Sequence, residues 1–138
     1  MKNIILILFV FFCLLSMACS KSNYGKKTVR NDSSQNLKII RYKKLFPGEK
    51  IVETFSLQPQ QEAIIEEMTG KGGPYYSGGS CGTGDLDSLA IEIAVNTTSK
   101  VAKDLNKSDS WSFSKRSRSN GIDTECKAII TDSDIVPK

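Results

Sequence analysis

The residues of this chain that could do chemistry are mainly carboxylates, because its 138 residues include no histidine. The absence of histidine excludes a histidine general base, a Ser-His-Asp triad and a histidine metal ligand. Two Asp-x-Asp pairs remain, Asp85 with Asp87 and Asp132 with Asp134, and hard cations bind oxygen clusters of this kind. Neither pair continues as an EF-hand, so we interpret them as solvated turn carboxylates. A carboxylate pair for glycoside hydrolysis is a weaker hypothesis that the sequence leaves open.

A glycine-rich stretch over 70–84 contains seven of the ten glycines, a composition that phosphate-binding loops share. A P-loop needs Gly-Lys-Ser/Thr at the start of a helix, whereas here Lys71 stands at the wrong side and a strand follows. We therefore expect a surface loop. Tyr75 and Tyr76 within it support two hypotheses equally: exposed aromatic contacts for a ligand, or a cover over the edge of the core.

A basic run, Lys115-Arg116-x-Arg118, stands close to Trp111 and Phe113 and superficially resembles a nucleic-acid patch. The formal net charge is only +4, which is too small to predict a polyanion partner. Trp111 and Phe113 lie two residues apart on one strand face, so we expect both in the core. We interpret the basic run as a solvated hairpin, and contact with anionic lipid headgroups is its only functional alternative.

The N-terminal segment has the parts of an export signal. A short basic start precedes an apolar run over 4–15, which is short of the roughly 20 residues that span a bilayer. Small Ala18 then precedes Cys19. The segment resembles a bacterial lipoprotein signal, although Ser16 departs from the usual leucine. The resemblance implies cleavage before Cys19 and lipidation of that cysteine; an ordinary secreted protein and a retained signal anchor are the alternatives.

Two cysteines, Cys81 and Cys126, remain if Cys13 leaves with the signal and Cys19 carries lipid. An even pair in an oxidising compartment predicts a disulfide, which would tie the glycine-rich loop to the last strand. Loop-closure entropy gives such a bond roughly 4 kcal/mol of stabilisation. A nucleophilic thiol is the alternative, and it lacks a histidine partner.

The elements that must position these residues are strands, because the hydrophobic period beyond Asn36 is two residues. We predict strands over 28–31, 37–42, 51–57, 62–67, 89–95, 100–104, 111–113 and 124–131. A short helix is the alternative for 62–67, where Glu and Ala favour it. The odd-numbered residues from Leu89 to Val95 are apolar, so one face of that strand should be buried. About seven short strands without a convincing helix predict an all-β fold, a single small β-sandwich of immunoglobulin-like or transthyretin-like kind.

The polar segment from Ser20 to about Asn36 predicts a flexible tether. We therefore divide the chain into a signal peptide over 1–18, a lipidated Cys19 with its tether over 19–35, and the β-sandwich over 36–138. The segments VRNDSSQNLKIIRY, FSLQPQQEAII, DSLAIEI and CKAIITDSDI resemble small Bacteroidetes-type lipoproteins, which implies fold and location but no activity. Asp87-Ser88-Leu89 resembles the O-glycosylation sequon of that phylum, so Ser88 is a candidate modification site.

These features predict a non-enzymatic envelope lipoprotein that acts by protein contact or as a structural component. A small-ligand or glycan-binding lipoprotein that uses the loop 70–84 is the alternative. Lipid on Cys19 would hold the domain on a membrane. Ser20, in place of a retention aspartate, favours the outer membrane facing the periplasm, with surface exposure left open. We expect an envelope protein as partner, no nucleic acid, no metal and no other cofactor.

Overall fold

The computed structural model describes residues 21–45, 48–77, 80–82, 87–95 and 98–138. Within these ranges the chain forms nine strands: β1 Asn23–Asn31, β2 Leu37–Lys44, β3 Lys50–Leu57, β4 Glu62–Gly70, β5 Asp87–Ile93, β6 Ser99–Val101, β7 Ser112–Arg118, β8 Gly121–Ile130 and β9 Ile135–Pro137. Two single 3-10 turns, Ser108–Ser110 and Asp132–Asp134, complete the regular structure of the described ranges. The all-β prediction is confirmed.

The strands form two packed sheets and a small ribbon. The first sheet has the order β4-β1-β8-β7, the second has the order β3-β2-β5, and β6 pairs with β9 in the ribbon. Neighbouring strands are antiparallel except for β1 and β8, which run parallel. The narrower assignment to an immunoglobulin-like or transthyretin-like type stays a prediction.

The hydrophobic core lies between the facing sheets, because side chains alternate between the two faces of each strand. Its fully buried aliphatic members are Val29, Leu37, Ile39, Leu105, Ala128 and Ile130. Trp111 is also buried, and its indole Nε1 donates to the carbonyl oxygen of Leu105 at 2.9 Å, which satisfies its polar edge. Phe113 packs against the same cluster. The prediction that Trp111 and Phe113 belong to the core is confirmed.

The strand predicted over 28–31 is present but longer, and the flexible tether predicted over 19–35 is wrong for Asn23–Asn31. These residues form β1, which pairs with β4 on one side and β8 on the other. The polar composition was misleading because the buried polar groups have partners: Asn31 Nδ2 donates to the carbonyl oxygens of Gln35 and Leu57. Buried polar groups that are hydrogen-bonded cost little. The β-domain therefore includes β1, and a boundary at 36 is too late.

The strand predicted over 62–67 is confirmed, because these residues pair along β1, and the helical alternative is wrong. Two further elements differ from the predictions. Val95 is 84% exposed, since β5 ends at Ile93. The strand predicted over 100–104 is the short β6, and its partner β9 was not predicted.

The two ends of the domain carry different connections. At one end, here called the proximal end, β1, β5 and β8 begin and the β2–β3 and β7–β8 hairpins turn. The opposite end, called the distal end, holds the β1–β2 and β3–β4 connections. Two contacts between the sheets show which of their ends lie together. Arg41 on β2 bonds to Glu66 on β4, and Asn31 at the end of β1 bonds to Leu57 at the end of β3.

Candidate functional site

A cluster of charged side chains lies between the two sheets, centred on Arg41 of β2. Arg41 is 7% exposed, and its Nη2 is 2.6 Å from Glu66 Oε1 on β4 and 2.7 Å from Asp87 Oδ2 on β5. Its Nη1 donates to the carbonyl oxygen of Ile65 at 3.1 Å. One guanidinium thus joins strands from both sheets.

Lys27 and Tyr76 complete this group, which we call the Arg41 cluster (Lys27, Arg41, Glu66, Tyr76 and Asp87). Lys27 Nζ lies 3.3 Å from Glu66 Oε2 and 5.2 Å from the centre of the Tyr76 ring. The Tyr76 hydroxyl donates to the same Glu66 oxygen at 2.8 Å. Glu66 therefore accepts from Arg41, Lys27 and Tyr76, and each charge in the cluster has an opposite charge within contact distance.

The electrostatics of the cluster favour fixed protonation states. Burial opposes the charge on Arg41, but the hydrogen bond to Asp87 and the charges of Glu66 and Asp87 outweigh it, so the pKa of Arg41 is raised. Burial, together with the hydrogen bond to Glu66, raises the pKa of Tyr76 well above its usual value, so its phenol stays a neutral donor. Neither group changes protonation near neutral pH. What the cluster can do is hold the sheets and the 71–82 segment together.

The sequence predictions missed the Arg41 cluster, although a signal for part of it was present. Arg41 lies two and four positions after Ile39 and Leu37, so it shares the inner face of β2, where both of these residues are fully buried. A cation on the buried face of a strand must meet a carboxylate or carbonyl oxygen. That argument could have placed Arg41 inside, but it could not have named Glu66 and Asp87 as its partners.

The two tyrosines of the glycine-rich stretch do not form an exposed pair. Tyr76 is 5% exposed and belongs to the core, so the hypothesis that it contacts a ligand is wrong, and the alternative of a cover is the one observed. Tyr75 is partly buried against the hydrophobic core. Its ring crosses β1 at Gly25, where a Cβ would lie 2.6 Å from Tyr75 Cβ. The backbone of β1 therefore needs glycine at this crossing.

We expect Gly25→Ala to lower the free energy of unfolding by about 1–3 kcal/mol, because the added methyl must displace the Tyr75 side chain. Urea denaturation measures this change. Gly73→Ala is the matched control, since nothing lies within 4 Å of its Cβ position, and it should be close to neutral. Equal effects of the two substitutions would contradict the close approach of Tyr75 to β1.

The predicted disulfide between Cys81 and Cys126 is confirmed, with a Cα–Cα distance of 5.5 Å. Both cysteines are buried, and the bond ties the glycine-rich segment to β8. The carbonyl oxygen of the next residue, Gly82, accepts from Lys27 Nζ at 3.1 Å. The disulfide is thereby connected to the Arg41 cluster through a single backbone group.

The aspartates of the two Asp-x-Asp pairs have separate tasks. Asp87 belongs to the Arg41 cluster, and Asp85 lies outside the described residues. Backbone and side-chain hydrogen bonds from Ser34 lower the pKa of Asp132, and Asp134 contacts Lys103 Nζ at 3.1 Å. In the part of the chain that the structure describes, no three metal-ligating side chains form a group that could hold a metal ion.

The basic run lies on β7, an edge strand of the first sheet, with Lys115, Arg116 and Arg118 exposed. Arg118 Nη2 is 2.6 Å from Asp123 Oδ1 on the neighbouring strand. Charged side chains on an edge strand discourage pairing with another sheet. The basic run is part of a hairpin, because β7 pairs with β8 around a turn at 119–120.

The two candidate modification sites differ in what the structure describes. Ser88 is exposed on β5, an edge strand of the second sheet, and its glycosylation stays a prediction. Cys19 and the signal segment lie outside the described residues. Within the described ranges, none of the helical turns has the length and apolar character needed to cross a bilayer.

Comparison with known proteins finds no matching family model, no similar curated protein and no similar solved structure. What the fold and the site define is thus a class: a small all-β domain of two packed sheets, with a buried charge cluster between the sheets and a disulfide between the β4–β5 connection and β8.

Proposed function

We propose that the chain is a membrane-anchored envelope lipoprotein, held by lipid on Cys19, whose β-domain acts without catalysis by contacting another envelope protein. The signal segment that ends in Ala18-Cys19 supports the anchor. The outer face of the second sheet supports the protein contact, and it is the observation that carries the proposal.

The outer face of the second sheet has an apolar centre. In its two central rows Val52 pairs with Tyr42 and Thr54 pairs with Ile40, while Ala90 flanks Ile40 on the other side. Ile40 is only 6% exposed, so the accessible apolar surface belongs to Val52 and, in part, to Tyr42 and Ala90. Val52 is 54% exposed, the most exposed large apolar side chain within a strand of the described ranges. Aromatic and aliphatic side chains with a charged rim are typical of protein interfaces, and here Lys50 Nζ lies 4.1 Å from the centre of the Tyr42 ring.

The outer face of the first sheet has a different character. Two ion pairs cross it, with Lys26 Nζ 3.0 Å from Glu125 Oε1 and Lys127 in contact with Glu62, whereas the outer face of the second sheet has one, between Lys38 and Glu92 at its distal end. Such a face is already satisfied by its own charges and gains little from a partner. The second sheet is therefore the better contact surface. The glycan-binding alternative loses support, because Tyr76 faces the core.

The anchor is tested by the mass of the protein purified from its native membrane. We expect cleavage before Cys19, a mass increase that corresponds to attached acyl chains, and partition into detergent. A Cys19→Ser variant should lose the added acyl mass and should keep the uncleaved signal segment. Unmodified Cys19 in the native protein would refute the anchor.

The contact surface is tested by Val52→Glu in the full chain. We expect chemical cross-linking in native membranes to give a discrete adduct with one envelope protein, and Val52→Glu to lower its yield by about tenfold, because a charge would enter an apolar interface. Ile64→Glu on the outer face of the first sheet is the matched control, since Ile64 is 45% exposed. An adduct that survives Val52→Glu, or that both variants remove equally, would refute the surface.

A further inference from the structure

We infer that the proximal end of the domain lies against the anionic headgroups of the bilayer that holds the lipid. The inference rests on the proposed anchor at Cys19 and adds to it a second contact, made by side chains. Three observations carry it: the path of the chain into β1, the unpaired cations of the proximal end, and an exposed apolar side chain beside them.

The chain that enters β1 is fixed to the proximal end. The backbone N–H of Ser22 donates to the carbonyl oxygen of Asn120 at 2.8 Å, and Gly121 packs so tightly that a Cβ there would lie 2.0 Å from the Ser22 oxygen. Cys19 lies three positions before Ser22, and an extended chain over three steps reaches at most about 11 Å. A lipidated Cys19 would hold the proximal end within the range of the headgroup layer.

The proximal end carries cations that no carboxylate of the described residues neutralises. Lys21 and Lys71 are exposed beside the ends of β1 and β4, and Lys44 is exposed at the β2–β3 hairpin. Among the described residues, no carboxylate lies within ion-pair distance of these three lysines. Each lysine near an anionic membrane surface contributes to attraction within a Debye length.

Several cations elsewhere on the domain are neutralised. Arg30 lies 2.7 Å from Asp32 at the distal end of β1, and Lys38 at the distal end of β2 lies 3.5 Å from Glu92. Lys103 is bonded to Asp134 just beyond the distal end of β8, whereas Lys100 and Lys138 are exposed there without a carboxylate of the described residues in ion-pair distance. What distinguishes the three proximal lysines is that they lie at the end from which the anchor would emerge, where an anionic bilayer would be within reach.

An apolar contact accompanies these charges. Ile51 pairs with Lys43 on the inner face of the second sheet, but it lies beyond Arg41 at the open proximal end and is 43% exposed. Lysines around an exposed aliphatic side chain suit the boundary between headgroups and acyl chains, where the aliphatic part is buried and the ammonium groups meet phosphate.

The test uses residues 19–138 with Cys19→Ser, a chain that has neither the apolar signal segment nor a lipid, so that binding reports the side chains of the domain alone. We expect co-sedimentation with vesicles of phosphatidylcholine and phosphatidylglycerol, weak binding to pure phosphatidylcholine, and loss of binding as salt is raised. The added substitutions Lys21→Glu, Lys44→Glu and Lys71→Glu should weaken binding by about a hundredfold. Circular dichroism checks that the fold is retained.

The matched control is Lys38→Glu with Lys100→Glu and Lys138→Glu, which changes the net charge equally but away from the proximal end. It should alter binding less than about threefold. Equal loss in both triple variants, or equal binding to both vesicle types, would overturn the inference. The mass of native Cys19 tests the anchor separately: lipid on Cys19 with no vesicle binding refutes only the headgroup contact, whereas an unmodified Cys19 refutes the proposed anchor.

Discussion

Replacing Arg41 with alanine is expected to lower the free energy of unfolding by about 3–5 kcal/mol. The guanidinium neutralises Glu66 and Asp87, whose side chains are only 19% and 21% exposed. Removing Arg41 leaves Asp87 without its cation and leaves Glu66 with Lys27 alone, and the loss from an uncompensated buried charge is larger than the net contribution of the pair itself. Urea denaturation at neutral pH, with unchanged dependence on denaturant concentration, measures the effect.

A surface ion pair on the same strand supplies the control. Lys38 contacts Glu92 at 3.5 Å with both side chains about half exposed, so Lys38→Ala should cost less than about 1 kcal/mol. Arg41→Lys should restore only part of the loss, because an ammonium group cannot bond in a fork to two carboxylates and a carbonyl oxygen at once. An Arg41→Ala variant as stable as Lys38→Ala would show that the cluster is not structural.

Most of the sheet could be predicted from the sequence because local alternation decides it. Leu89 to Ile93 and the residues of β8 show the period of two that a half-buried strand imposes, and both are strands. The spacing of Trp111 and Phe113 placed both in the core for the same reason. The pairing of Cys81 with Cys126 followed from counting cysteines.

The remainder could not be predicted because it depends on partners that are distant in the chain. The strand β1 has polar residues at buried positions, and its stability comes from bonds such as that of Asn31 to Leu57, 26 residues away. Arg41 meets Glu66 and Asp87 at separations of 25 and 46 residues. Local pattern cannot reveal which carboxylate a cation will reach, so both the strand and the cluster required the fold.

Tyr75 and Tyr76 show why the composition of the glycine-rich stretch led to a wrong prediction of side-chain exposure. A glycine-rich stretch is usually mobile and solvated, and aromatic residues on it would then be exposed. Here the disulfide holds Cys81 against β8, and the hydroxyl of Tyr76 has an acceptor in Glu66. Because the hydroxyl of Tyr76 keeps a hydrogen bond inside the protein, its ring can be buried in the core. Tyr76 and Cys81 are therefore part of the folded structure, which makes the dependence of Tyr76 on the disulfide testable.

Replacing both Cys81 and Cys126 with alanine is expected to lower the free energy of unfolding by about 4 kcal/mol. The bond closes a loop across a sequence separation of 45 residues, and its loss frees the unfolded chain from that constraint. Urea denaturation of the variant and of the native protein measures the difference, and reduction of the native protein should give a similar loss. A decrease below about 1 kcal/mol would show that the bond contributes little.

The same variant should also weaken the link between the 71–82 segment and the Arg41 cluster. With the disulfide intact, Tyr76→Phe removes a hydrogen bond to Glu66 and should cost about 1.5–3 kcal/mol, because the acceptor is charged. Without the disulfide, Gly82 and Tyr76 are no longer held in place, so the cost of Tyr76→Phe should fall towards zero. Lys38→Ala, remote from the segment, should cost the same in both backgrounds. Additive effects of Tyr76→Phe and the cysteine substitutions would mean that Tyr76 keeps its place without the disulfide, and that the segment is held by its side-chain contacts alone.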